Sequence, residues 1–468
     1  MSESPDLVIR GGTVADGRGG DLFEADVAIR DGRISEVGKI SGKGRDEIDA
    51  RGKLVAPGFV DIHTHYDGQV TWSHDITPSS QNGVTTAVMG NCGVGFAPCR
   101  PDDHLRLIQL MEGVEDIPEP VLSAGIPWSW ESFPDYMDWL AKRGFDIDIG
   151  AQLPHAALRV YVMGGRGARR AEINAAAAKG LSITAQIAAR PVGLMLGLEL
   201  SRNPFQTHPS YKAIAHLPLK ERLTRLRQPE VRAAILGESA STTDDPLFFK
   251  PNYDKMYLLG DPPDYEQPPE NALGAQARRS GKRPEELAYD AMLSDEGRGM
   301  LYVPFLNYAD GNLDATREML CDPRSVPGLS DGGAHCGIIC DASFPTYLLT
   351  HWTRDRKRGE KLSIPFVVAA QSRKTALSVG LYDRGVIAPG YKADVNVIDY
   401  DNLHLHPPKV HYDLPVGGRR LLQQVDGYEA TIVSGHITRR AGSATGARPG
   451  RLVRGAQGEA RQFGTAAG

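Results

Sequence analysis

Both ends of this 468-residue chain carry the same texture, and neither end has enough apolar residues to bury a core alone. At the amino end Leu7–Ile9 runs into Gly11-Gly12, Asp26–Arg30 alternates, Asp31-Gly32 turns, and Arg33–Val37 resumes. Aspartate-glycine between two alternating runs supplies the positive φ angles of a tight hairpin. At the carboxyl end Ala393–Asp399 alternates, and Ala430–Ser434, Gly435 and His436–Arg439 give a second hairpin signal. A hairpin by itself is marginal in water. The two ends are therefore expected to join as one β-sandwich module, residues 1–56 with 381–440.

Between them the rhythm changes. Candidate strands at Val55–Ile62, Gly83–Gly90, Asp146–Leu153, Leu181–Ala189, Met300–Leu306 and Val326–Ser330 alternate with helical patches. Those patches are Asp102–Met111, Trp130–Lys142, Glu172–Lys179, Lys220–Leu236, Pro284–Leu293, Asp314–Leu320 and Phe366–Leu377. Such alternation argues for a parallel sheet or a (β/α) barrel. The expected fold class is α/β, a TIM-like barrel over residues 57–380 plus the composite β-module. Six strands fall short of the eight a closed barrel needs, so the barrel is expected to be incomplete. Pro251–Glu270 is proline-rich and is expected as a long loop. Residues 441–468, rich in Gly, Ala and Arg, are expected as a frayed or loosely docked tail.

Composition narrows the function classes. A net charge of −5 and a pI near 6.2 leave no basic face for nucleic acid. No run of 18 or more apolar residues spans a membrane, and Met1–Asp6 lacks the basic-then-apolar pattern of a signal peptide. Five cysteines, an odd and sparse count, fit a reducing compartment. The expectation is a cytoplasmic protein with a small-molecule substrate, with a homo-oligomer left open.

The sharpest chemical feature is Asp61-Ile-His63-Thr-His65, directly after an apolar run. Side chains alternate along a strand, so Asp61, His63 and His65 share one face. Two imidazoles one strand-step apart suit a divalent metal; two strand-end histidines satisfied by hydrogen bonds are the bland alternative. Asp331, in Gly328-Leu-Ser-Asp-Gly-Gly-Ala-His335, could ligate a metal and take a proton from water, or could cap a turn. Cys92 follows the strand GVTTAVMG and could be a thiolate ligand or a small buried thiol. Cys336 and Cys340 bracket Gly337-Ile-Ile and could form a second metal clip.

Taken in order, LVAPGFVDIHTHYD, a late SDGGAH, GLYDRGVIAPGYKADVNVID and a closing ATIVSGHI resemble the amidohydrolase superfamily of metal-dependent hydrolases. The segment GVTTAVMGNCGVGFAP is similar to the N-acyl-D-amino-acid deacylase (D-aminoacylase) branch. That resemblance implies one or two zinc ions, with His63, His65 and Cys92 as ligands and Asp331 as ligand and general base. It implies hydrolysis of the amide of an N-acyl-D-amino acid to a carboxylate and a free D-amino acid. His155 matches a substrate-side position.

Two departures from the family pattern matter. Sixteen residues, Gly165–Gly180, join segments resembling the third barrel strand and a late one, where a single βαβ unit takes about 30. Middle strands and two histidine ligands are therefore expected to be missing, which keeps a non-catalytic remnant or binding protein as an alternative. The stretch Asp331–Leu349 also has no arginine or lysine to grip a substrate carboxylate, leaving Arg190 or Arg159 as substitutes, either of which could equally be a solvated or structural arginine. An amidohydrolase acting on a cyclic amide is the other enzyme alternative, and the absence of a lysine in a candidate middle strand disfavours it.

Overall fold

The computed structural model describes residues 4–154, 157, 184–239, 251–308 and 310–460. Strands from both chain ends form one nine-stranded sheet. Its path runs Ser443–Ala444, His436–Arg440, Tyr428–Val433, Val395–Ile398, Leu54–Pro57, Leu7–Val14, Phe23–Arg30 and Arg33–Gly38, with Asp46–Asp49 parallel beside Leu7–Val14. Both hairpins turn through paired positive φ angles, at Asp31 and Gly32 (50° and 72°) and at Ser434 and Gly435 (49° and 79°). Those mirror-image turns match the twist of the strands they join.

The sheet curls back on itself. Arg33 bridges Lys392, and the Ala393 amide donates to the Gly32 carbonyl at 2.9 Å. Ile9, Val27, Ile29, Val55, Val397 and Ile432 then pack into one buried cluster. A single curled sheet thus stands where a two-sheet sandwich was expected. The register shift between Ile9 and Gly12, at Gly11, supplies one bend.

The apolar run after Lys53 is two strands, not one. Leu54–Pro57 belongs to the curled sheet, and Phe59–Asp61 opens a parallel one. Gly58 is the joint: a Cβ there would lie 2.2 Å from Thr85 Oγ1.

Phe59–Asp61, Val84–Met89 and Asp148–Ala151 are parallel neighbours. Ser325–Pro327 lies parallel to Ala185–Ile187. The chain beyond Pro327 docks on the first strand: the His65 amide donates to the Gly332 carbonyl at 2.8 Å, and the Asp331 amide to the His63 carbonyl at 3.2 Å. Segments remote in sequence therefore meet at the carboxyl ends of these strands, where sites of parallel α/β folds are built. The short bridge Gly165–Gly180, the helical patch Glu172–Lys179, His155 and Arg159 lie outside the described residues.

Met300–Leu306 is not a strand of the parallel arc. It pairs antiparallel with Val192–Gly197. Leu196, Leu198, Leu301 and Val303 pack with Phe205, Leu223, Ile235 and Tyr289 in a separate core, so the described residues between 192 and 306 form a subdomain within the expected barrel span. An apolar run of this length does not reveal which way its partner points. The helix expected over Lys220–Leu236 is broken into Leu219–Leu226 and Pro229–Gly237, because Pro229 cannot donate to the preceding turn. Among the described residues no helix is long and apolar enough to cross a membrane.

Residues 441–460 are not a frayed tail. Leu452–Val453 adds a parallel strand to the free edge of Asp148–Ala151. The Ile149 amide donates to the Arg451 carbonyl at 3.0 Å, and Phe145 and Gly450 exchange two backbone hydrogen bonds. The Arg451 amide donates to Asp148 Oδ1 at 2.9 Å, and the Gln457 amide to the Gly380 carbonyl at 2.9 Å. Removing residues 441–468 would strip these partners, at about 1–3 kcal/mol for each buried group left unsatisfied. It would also bare a strand edge. The truncated chain is expected to melt several degrees lower and to associate at concentrations where the full chain does not. Circular dichroism melts and light scattering check this; an unchanged melt would refute it.

The curled sheet and the parallel arc are tied by charge. Arg384 Nη1 donates to Asp148 Oδ2 at 2.7 Å and to Thr86 Oγ1 at 2.9 Å, and its Nε donates to Asp383 at 2.9 Å. Lys392 Nζ lies 3.1 Å from Asp148 Oδ2 and 2.5 Å from Asp394 Oδ1. Burial opposes ionisation of Asp148, but Lys392 and Arg384 hold its carboxyl below the usual value.

Candidate metal centre and active site

The site grows from the ends of three parallel segments. Asp61 is buried with both carboxylate oxygens hydrogen-bonded within the protein. Its Oδ2 accepts from Ser330 Oγ at 2.5 Å and its Oδ1 from the His63 amide at 3.2 Å, so it ties the first strand to the Asp331 segment. Burial pushes its carboxyl up to about 6.

His63 and His65 follow it, with ring centroids 5.5 Å apart. His63 Nδ1 lies 2.6 Å from Gln186 Oε1. The amide oxygen can only accept, so Nδ1 carries the proton and Nε2 presents its lone pair. That Nε2 lies 3.3 Å from Cys92 Sγ and 3.5 Å from Asp331 Oδ1. His65 Nε2 lies 3.6 Å from the same Asp331 oxygen, and its Nδ1 lies 3.3 Å from Glu115 Oε1.

Cys92 reaches this centre through a strained turn. Its φ is 52°, between Gly90 at 85° and Gly93 at 79°. A left-handed cysteine costs energy and persists only where its surroundings hold it. Asn91 does so, its Nδ2 donating to the carbonyls of Val88 at 2.8 Å and Thr64 at 3.2 Å. Asp331 and His335 also sit at positive φ, 51° each.

The electrostatics follow from this crowding. The hydrogen bond with His63, and a second with His65, pull the Cys92 thiol down to about 6. Burial disfavours a charged His65, but Asp331, Cys92 and Glu115 outweigh it and raise the imidazole to about 11. Burial pushes the Glu115 carboxyl up to about 7. Burial also opposes ionisation of Asp331, yet His65 and His63 hold it below the usual carboxylate range.

The donor set fits a borderline divalent cation. Donor atoms of His63, His65 and Cys92 lie within 4.8 Å of one another. A tetrahedral zinc with bonds of ~2.0–2.3 Å spaces its ligand atoms by about 3.3–3.8 Å, which matches the contacts of 3.3, 3.5 and 3.6 Å found here. Asp331 Oδ1, His65 Nδ1 and Glu115 Oε2 are buried polar atoms without a hydrogen-bond partner. Buried polar groups of that kind are normally satisfied, and a cation held by His63, His65 and Cys92 would satisfy Asp331 Oδ1.

Other sequence expectations meet a different outcome. Arg190 is fully buried and does not line the site. Its guanidinium donates to the Cys340 carbonyl at 2.5 Å, Ser343 Oγ at 3.2 Å and Asp341 at 3.1 Å, and stacks 3.7 Å from the Tyr265 ring centroid. It is a structural cation in place of the substrate-gripping one expected. Cys336 and Cys340 are buried, burial pushes both thiols up to about 12, and among the described residues neither belongs to a group of three side chains close enough to share a metal, so the second clip expected is not assembled. Sequence reasoning missed Glu115 and Gln186. Glu115 ends the helix His104–Glu115 with no motif around it. Gln186 offered one signal, a polar residue at the centre of the apolar strand Ala185–Ile187.

Against known proteins, the sequence matches the amidohydrolase family over residues 46–186 and 171–439. It is 34% identical over 163 residues to a D-aminoacylase of Alcaligenes xylosoxydans xylosoxydans, covering 35% of this chain and 31% of that one. It is 34% identical over 179 residues to an N-acyl-D-aspartate deacylase of the same organism, covering 38% and 33%. The matched segments thus span about a third of these relatives' own length. In fold, the chain resembles a crystal structure of D-aminoacylase, with a TM-score of 0.56 and 22% identity over 96% of this chain and 99% of that one. It also resembles N-acyl-D-glutamate deacylase from Bordetella bronchiseptica complexed with zinc and a phosphonate inhibitor. There the TM-score is 0.54, with 21% identity over 97% and 100% of the two chains.

Proposed function

The chain belongs to the amidohydrolase family, and from that premise we propose that it is a metal-dependent hydrolase of carbon–nitrogen bonds other than peptide bonds, acting on the amide of N-acyl-D-amino acids. The observation that carries this reading is the cysteine thiol placed 3.3 Å from His63 in a centre shared with His65 and Asp331. His63, His65, Cys92 and Asp331 would hold one or two divalent ions, zinc first among them. Zinc, when bound, lowers the pKa of a water to about 7 and polarises a carbonyl.

The chain's own groups supply the rest. Gln186 fixes the His63 tautomer, so Nε2 faces the centre as a lone pair. Glu115 packs against the far nitrogen of His65 and sets that ring's orientation. Asp331, whose carboxylate oxygen lies 3.5 and 3.6 Å from the two imidazoles, takes the proton of the attacking water and hands it to the leaving nitrogen as the C–N bond breaks. The products are a carboxylate and a free D-amino acid. Cys92 is exposed, which leaves the centre open to substrate on that side.

The test is turnover of N-acetyl-D-amino acids by zinc-loaded, folded protein, against the L-enantiomers and the cyclic amides hydantoin and dihydrouracil. D-selective hydrolysis of the linear amides is expected, abolished by His63→Ala. Turnover of the cyclic amides alone would replace the substrate class. No turnover by folded, zinc-loaded protein would overturn the catalytic reading in favour of a non-catalytic descendant.

A further inference from the structure

A second cluster of side chains of metal-ligating type, sharing no residue with the first, lies at the surface. Among the described residues, Asp261, His404 and His406 bring three donor atoms within 4.8 Å of one another. We propose that they form a second, solvent-facing site for a divalent transition-metal ion, zinc foremost, which clips the Asp261 loop to the strand His404–Leu405.

The local fold builds most of this site in advance. His404 and His406 are two residues apart along extended chain, so both rings leave the same face. Their centroids are 4.6 Å apart in an edge-to-face arrangement. The strand is held from its other side by Val425–Asp426, with His404 opposite Asp426 and the His406 amide donating to the Gln424 carbonyl at 2.9 Å. Asp426 Oδ2 lies 2.6 Å from His406 Nε2. A carboxylate there accepts the hydrogen bond of the Nε2–H group and leaves the other ring nitrogen, Nδ1, as the lone-pair donor. Ligand histidines are commonly oriented in this way.

Asp261 arrives from a different part of the chain, within the proline-rich segment before Tyr265. Its Oδ1 lies 3.8 Å from His404 Nε2, a separation that a shared ion can bridge at ordinary bond lengths. Two imidazoles and one carboxylate select zinc, copper or nickel over magnesium and calcium, which prefer oxygen alone. Side-chain exposures of 67% for Asp261 and 39% for His404 leave remaining coordination positions to water. The site is therefore expected to bind more weakly and exchange faster than the buried centre. Nothing in this inference depends on the proposed hydrolysis.

The experiment is equilibrium dialysis of the full chain against zinc chloride, followed by elemental analysis. Wild type is expected to take up one zinc per chain more than the His404→Ala/His406→Ala variant. That surface variant should retain the zinc lost by His63→Ala. Asp426→Asn keeps every ligand but removes the carboxylate that orients His406. It should weaken the extra equivalent by about 10- to 100-fold without abolishing it. Equal stoichiometry and equal isotherms for wild type and the surface double variant would overturn the proposal.

Discussion

Asp331→Asn is expected to lower kcat on an N-acetyl-D-amino acid by about 100- to 10,000-fold, the range associated with a positioned general base. Asparagine keeps the shape and the backbone bond from residue 331 to the His63 carbonyl. It loses the charge that faces both imidazoles at 3.5 and 3.6 Å, and it cannot accept the water proton. Because Asp331 is also a candidate ligand, kcat has to be measured at saturating zinc, with metal content determined in parallel. A large fall in kcat with zinc retained marks the proton transfer. A kcat within a few-fold of wild type at full zinc occupancy would remove Asp331 from the chemistry.

Arg384→Ala is expected to destabilise the chain by about 3–5 kcal/mol, the usual result of removing one partner from a buried ion pair. Asp148 would keep Lys392, but Thr86 and Asp383 would lose their donor. These groups lie where the curled sheet meets the parallel arc, so the damage should loosen the docking of one on the other. The measurement is a urea titration followed by two probes, because parts that unfold separately no longer share one transition. The expected result is a lower first midpoint and separated probe curves. Coincident curves at the wild-type midpoint would show that Arg384 carries no docking energy.

Much of the candidate site is legible in sequence because its signals are short and local. Alternation along a strand puts His63 and His65 together, and a cysteine just past the next strand falls at the same end of a parallel sheet. Glu115 and Gln186 carry no such signal. Each reaches its histidine from a segment whose placement depends on how the elements pack, so nothing within a few residues of either announces the contact. Arg190 failed in the opposite direction: a cation at a strand end suggested a substrate clamp, yet Asp341 and the Tyr265 ring enclose it.

The sequence by itself determined the two hairpin turns, the β-module texture at both ends, the change to alternating strands and helices, and the histidine pair. All of these follow from side-chain periodicity and from backbone angles that aspartate, serine and glycine tolerate at a turn. The tertiary structure alone decided that Met300–Leu306 runs antiparallel in a subdomain and that the module is one curled sheet. It also placed Leu452–Val453 on the free edge of Asp148–Ala151 and Glu115 beside His65. Strand direction, edge partners and contacts across hundreds of residues are set by which surfaces pack together, and periodicity within one segment carries no information about the segment it will meet.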